Sequence, residues 1–118
     1  MKTKEVIQAF NEAFAANDIS FMADNMAENI VWEVKGETVI IGKQNVLNYL
    51  NDRGGEGIFN LTVENLLMEG SMAACSGVRH MENSEKIHDF CDIYTLNDEN
   101  GMIEKVISFT AERQEEFF

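Results

Sequence analysis

Four runs of strand character follow one another between Ile58 and Thr110, parted by short polar turns. They cover Ile58–Met68, Ser71–Met81, Lys86–Leu96 and Met102–Thr110. β-Branched and aromatic residues bounded by Gly, Asn, Asp and Ser mark such runs as strands. The breaks at Glu69-Gly70, Glu82-Asn83-Ser84-Glu85 and Asn97-Asp98-Glu99-Asn100-Gly101 are too short for a crossover, so sequential strands pair antiparallel. Gly101 suits a turn position with positive φ. A meander of this kind exposes an apolar face that a second layer must cover. The two long strands beginning at Ile58 and Ser71 have to bend, and Gly70 and Gly77 permit it.

The first half supplies the covering layer. Val6, Ile7, Phe10, Ala13 and Phe14 recur at three- and four-residue spacing, which predicts a helix from Thr3 to Asn17. Thr3 suits its N-cap, and Asn17-Asp18 breaks the pattern and can cap a second helix. That helix is expected to place Ile19, Met22, Ala23 and Met26 inward and to end near Glu28-Asn29. Ile30, Trp32 and Val34 then alternate with Val31, Glu33 and Lys35, a strand with one buried face. Lys35-Gly36-Glu37 is a turn and Thr38–Ile41 a short second strand. After Gly42, Lys43 to Leu50 fits a third helix, with Val46, Leu47 and Leu50 on one side. The glycine-rich Asn51–Gly57 reads as a flexible connection, and Ala111–Phe118 as a loosely held acidic tail. These elements make one domain over residues 1–118, of α+β class.

The chain carries 9 Lys and Arg against 21 Asp and Glu, a net charge of −12. Such a chain repels phosphate backbones and anionic headgroups, so neither nucleic acid nor a membrane surface is an expected partner. No apolar run approaches the roughly 18–20 residues of a membrane span. The N-terminus leads into an amphipathic pattern rather than a signal-peptide core. Cys75 and Cys91 do not form a disulfide framework in a domain this apolar, which predicts reduced thiols and a cytoplasmic protein.

Three passages resemble the nuclear transport factor 2-like superfamily, in particular its SnoaL-like polyketide cyclase and ketosteroid isomerase-like branch. They are Asn17-Asp18-Ile19 leading to Ala27–Glu33, then Ile41-Gly42-Lys43-Gln44-Asn45-Val46-Leu47, and Phe90–Tyr94 through Asn100–Ile103. The resemblance implies a curved antiparallel sheet, a cone, wrapped around three N-terminal helices: the cystatin-like α+β barrel. It also implies a mostly apolar pocket at the open end, a small hydrophobic molecule as partner, and a homodimer joined through the sheet. No cofactor is expected.

Asp92 is the leading candidate for chemistry. It lies mid-strand among Phe90, Cys91, Ile93 and Tyr94, where desolvation favours the neutral acid. By resemblance it matches the protonated aspartic acid with which ketosteroid isomerases stabilise an oxyanion. The alternative is an Asp bonded to backbone or to a basic side chain. By the same resemblance the isomerase base falls at Val34 and the isomerase tyrosine at Phe10, so classical steroid isomerisation is not expected unless another group takes over the base role. Glu33, next to the base position, has the opposite strand parity and points away. His88 shares a face with Asp92 and is the natural acid/base partner, or else a histidine at the cavity rim. If the Asn83-Ser84 loop is symmetric, Arg79 falls beside His88 and Cys75 beside Asp92; a one-residue slip brings in His80 instead. Phe10, Phe14, Trp32, Val34, Arg79, Phe90 and Tyr94 are the expected pocket lining. No zinc spacing, Gly-rich phosphate loop or Cys–His nucleophile pattern is present, and no metal is expected. These residues point to isomerase, cyclase or hydratase-type proton chemistry, to a non-catalytic binder, or to a dimeric interaction module.

Overall fold

A computed structural model describes residues 3–52, 59–81 and 85–113. The glycine-rich stretch from Arg53, residues 82–84 of the expected hairpin loop and the tail from Gln114 lie outside them, as does the expected capping side chain of Thr3. The described residues form α1 (Thr3–Ala16), α2 (Ile19–Asp24), β1 (Met26–Val34), β2 (Thr38–Ile41), α3 (Lys43–Asp52), β3 (Phe59–Glu69), β4 (Met72–Met81), β5 (Ile87–Leu96) and β6 (Ile103–Glu112). The class is α+β: one curved, unclosed sheet in the order β2-β1-β6-β5-β4-β3, with the helices against it.

The meander forms as expected, with β3–β4, β4–β5 and β5–β6 antiparallel. β1 joins its far side through β6, and that one pair runs parallel. It also shortens α2. The residues expected to continue that helix to Glu28-Asn29 are instead strand from Met26 onward. Ile103 N–H donates to Asn25 O at 2.8 Å and Met26 pairs with Ile103, so β6 captures the chain as it leaves the helix. Met26 is buried all the same, in the strand rather than the helix. β6 likewise runs on to Glu112, past the expected end at Thr110, through pairing with His88 and Asp89.

Local signals explain the connections. Asn17 takes a left-handed φ of 59° and closes α1, while the Asp18 carboxylate accepts from Phe21 N–H at 3.2 Å and opens α2. Asn97 Oδ1 accepts from the N–H groups of Glu99 and Asn100, and Gly101 has φ +72°. β3 carries a bulge between Val63 and Asn65, a device that bends a strand. Gly77 faces it so closely that a Cβ there would lie 1.9 Å from the Thr62 carbonyl oxygen.

The core lies in the concave side. α1 packs on β3 and β4, and α3 on β1. Ile7, Phe10, Met22, Ile30, Trp32, Val46, Tyr94 and Val106 are buried there. Phe10 stands edge-on to Tyr94 at 6.0 Å and 6.2 Å from Trp32, and Phe14 stands 6.1 Å from Trp32.

Candidate functional site

At the centre of the sheet, β4 and β5 pair Cys75 with Asp92 and Arg79 with His88, the register of the symmetric loop. His80 falls on the other face and is exposed. Arg79 and Asp92 meet within the fold: Arg79 Nη2 donates to Asp92 Oδ2 at 3.2 Å. Asp92 is 1% exposed and Arg79 9%. Of the two outcomes open for Asp92, the carboxyl is thus bonded to a basic side chain.

Burial pushes the Asp92 carboxyl above its ordinary value, against the downward pull of the Arg79 charge and the Ser108 and Tyr94 hydroxyls. The guanidinium is caged by rings. Its carbon lies 4.4 Å from the Phe90 centroid, 5.0 Å from Phe14 and 5.7 Å from Phe59. Planar, delocalised and weakly hydrated, an Arg tolerates such a cage where a Lys would not.

A buried polar chain backs the pair. Asn11 Nδ2 donates to Tyr94 Oη at 3.0 Å and to Ile7 O at 3.0 Å, and Tyr94 Oη donates to Asp92 Oδ2 over a long 3.5 Å. Burial pushes the Tyr94 phenol well up, so it stays a neutral donor. On β6, Ser108 pairs with Asp92, and its hydroxyl accepts from Trp32 Nε1 at 2.9 Å.

The pair opens on a cleft of about 60 Å³. Phe14, Trp32, Val34, Leu50 and Arg79 line it, with Ser108, Thr110, Tyr49 and Glu37 completing the wall and mouth. Arg79 rather than Asp92 faces this space; Asp92 sits behind it. Of the expected lining, Phe14, Trp32, Val34 and Arg79 are brought together here. Phe10, Phe90 and Tyr94 pack in the core instead, Phe90 as a wall of the arginine cage. His88 is half-buried, level with Arg79 on one side and Glu112 on the other, and is not in the cleft wall. It lies four residues along the strand from Asp92, roughly 13 Å. Glu33 points away and pairs with Lys35 at 2.8 Å.

Asn11, Glu37, Tyr49, Ser108 and Thr110 were not anticipated. Asn11 carried a signal, since it interrupts the apolar stripe of Ile7, Phe10 and Phe14 at the fourth residue from Ile7. Ser108 carried the opposite one. Its parity-mates Val106 and Thr110 are less apolar than Ile107 and Phe109, which lie on the outer face. Among the described residues no three His, Cys, Asp or Glu side chains converge as a metal site. No helix of the described residues is long and apolar enough to cross a membrane.

Residues 7–106 match the model of the SnoaL-like domain. The chain belongs to the SnoaL-like domain family. Solved structures agree on the fold of this SnoaL-like chain. A nuclear transport factor 2-like protein of unknown function from Cytophaga hutchinsonii is 22% identical, with a TM-score of 0.76 over 93% of this chain and 100% of that one. An LEH-like epoxide hydrolase from M. tuberculosis has a TM-score of 0.79 at 14% identity, over 92% and 82%. A protein of ketosteroid isomerase-like fold from Catenulispora acidiphila, solved with trimethylamine, has a TM-score of 0.74 at 9% identity, over 89% and 84%. Among curated protein sequences, none matches.

Proposed function

We propose that this SnoaL-like chain takes a small carbonyl compound into the cleft, its oxygen against Arg79, and carries out proton chemistry of isomerase, cyclase or hydratase type without a cofactor. The observation that carries the reading is a guanidinium held by a buried carboxyl at 3.2 Å on the wall of a cleft that also presents Phe14, Trp32, Val34 and Leu50. A cation fixed in a low-dielectric wall stabilises negative charge developing on a ligand oxygen more than a solvated one does. Asp92 then acts through Arg79 as a positioning residue, and His88 stands outside the first circle of contacts. The volume limits the enclosed part of the ligand. At roughly 10–15 Å³ per water, the space holds about four to six waters, so a few heavy atoms.

Titration with butanone, using 2-butanol as the control without a carbonyl, tests this by NMR. Saturable shifts confined to Arg79, Ser108 and Trp32, and lost in Arg79→Met, are expected. Shifts spread over the surface, or unchanged in Arg79→Met, would overturn it. A non-catalytic binder is the second reading, favoured by Val34 and Phe10 standing where the isomerase base and tyrosine fall. Saturable binding with no proton exchange in the ligand would select it.

The homodimer is proposed through the outer sheet face. Leu67, Ala74, Ile93 and Ile107 form one row across β3 to β6, flanked by Met72 and Phe109. Leu67, Met72 and Phe109 are 67%, 49% and 42% exposed, an apolar patch that favours covering. Sedimentation equilibrium tests it: a dimer converted to monomer by Ile93→Glu supports the reading, and a monomeric wild type at high micromolar concentration refutes it. Two free thiols agree with the proposed cytoplasmic location.

A further inference from the structure

With Val34 at the position of the isomerase base, the proposed proton chemistry lacks its proton acceptor. Asp92 does not supply one: it is 1% exposed, bonded to Arg79, and lies behind the cleft wall. His88 does not line the cleft either. Among the described residues of the wall there is one carboxylate, Glu37.

Its position follows from local structure. Glu37 closes the tight β1–β2 turn: Gly36 takes φ +83°, and Glu37 N–H donates to Val34 O at 3.0 Å. The turn brings the residue after Gly36 into the cleft lining, while Glu33, on the strand itself, pairs with Lys35. The side chain is then held from α3, where Tyr49 Oη donates to Glu37 Oε2 at 3.4 Å. Glu37, Tyr49 and Arg79 all line the same cleft. A carboxylate and a fixed cation around one small space are what removal of a proton next to a carbonyl requires.

We propose that Glu37 is the general base of this cleft, held by Tyr49 as a positioning residue, and that the substrates are small ketones or aldehydes with a C–H next to the carbonyl. The inference rests on the reading of the cleft given above. In the step, a Glu37 carboxylate oxygen takes the proton from the α-carbon. The C–H electron pair forms the C=C bond, and the carbonyl π pair moves to oxygen, where Arg79 stabilises the enolate. Glu37, its hydrogen exchanged with water at the exposed carboxyl, then returns a proton to the α-carbon, or to the γ-carbon of a substrate with a conjugating C=C, which isomerises it, so no oxidant or reductant enters.

The test is loss of deuterium from butanone labelled at both α-carbons, followed by proton NMR, with binding read in parallel from shifts at Arg79. Wild type is expected to exchange the label faster than buffer. Glu37→Gln is expected to lower the protein-dependent rate by about 10²-fold or more with the Arg79 shifts retained. Tyr49→Phe is expected to lower the rate by a smaller factor and leave the same shifts. Glu37 is exposed on a turn, so Glu37→Gln is expected to keep the wild-type circular dichroism and melting temperature. Binding at Arg79 with undiminished exchange in Glu37→Gln would overturn the role of Glu37 and leave the cleft reading standing, whereas binding with no exchange in wild type would overturn that role and select the non-catalytic binder. No binding at Arg79 would overturn both.

Discussion

Removing Arg79 while leaving Asp92 is the sharpest perturbation of this molecule. In Arg79→Met the apolar side chain keeps company with the Phe14, Phe59 and Phe90 rings, so the main loss is the charge beside Asp92. That carboxyl is almost wholly out of water, and breaking a buried pair this way costs about 3–5 kcal/mol. For a domain of this size the melting temperature would fall by roughly 10–20 °C. The loss depends on pH, and its sign follows from the direction of the shift. Burial raises the Asp92 pKa in the folded state above that of the unfolded chain. Its contribution to stability is therefore best below the ordinary carboxylate range and declines as pH rises through the raised value. Without Arg79 the pKa rises further, so the decline extends to higher pH. The penalty of Arg79→Met relative to wild type should be larger at pH 8 than at pH 5.5, because falling pH favours the protonated acid, whose raised pKa the loss of Arg79 lifts further. Asp92→Asn removes the titration and should make the penalty of losing Arg79 nearly independent of pH. Urea denaturation of wild type, both single variants and the double variant at the two pH values measures all of this. A coupling energy below about 0.5 kcal/mol at pH 8, or an equal Arg79→Met penalty at both pH values, would refute the pairing as described.

Gly77→Ala should destabilise by about 3 kcal/mol or more, because its Cβ would lie 1.9 Å from a backbone oxygen that the β3 bulge holds in place; a loss under 0.5 kcal/mol in urea denaturation contradicts the bulge. Cys75, buried beside Asp92, has its thiol pushed up to about 11, so at pH 8 a disulfide reagent should label the half-buried Cys91 first and Cys75 only with unfolding. Equal labelling rates in the native protein, read by peptide mass spectrometry, would count against that burial. Tyr94→Phe should cost about 1–2 kcal/mol, since it removes the acceptor of Asn11 and a donor to Asp92 while Asn11 keeps its bond to Ile7 O; an unchanged urea midpoint would exclude the buried polar chain.

Local chemistry accounts for what could be read from the chain alone. The three- and four-residue spacing of Ile7, Phe10 and Phe14 makes a helix with one apolar side wherever it occurs. Asn17, Asp18, Gly36 and Gly101 act on their immediate neighbours, so the turns and caps they favour are the ones found. The β4–β5 pairing has the register expected from the sequence, and with it the neighbourhood of Cys75, Arg79, His88 and Asp92. The isolation of Asp92 among apolar residues already implied a desolvated acid.

Long-range partners decided the rest. α2 stops at Asp24 because β6, some eighty residues later, takes up Asn25 and Met26, a competition that no local propensity contains. Period two states that a strand has two faces, but on β6 it is pairing beside Asp92 and Val34 that places Ser108 among buried neighbours and leaves Phe109 exposed. Packing likewise puts Arg79 between Asp92 and the cleft, so the acid that stands out in the sequence lies behind the arginine that lines that space. Glu37 and Tyr49, twelve residues apart on a turn and a helix, become neighbours only when α3 folds back onto β1. Periodicity records which side of an element is buried; convergence of side chains from different elements is a property of their packing alone.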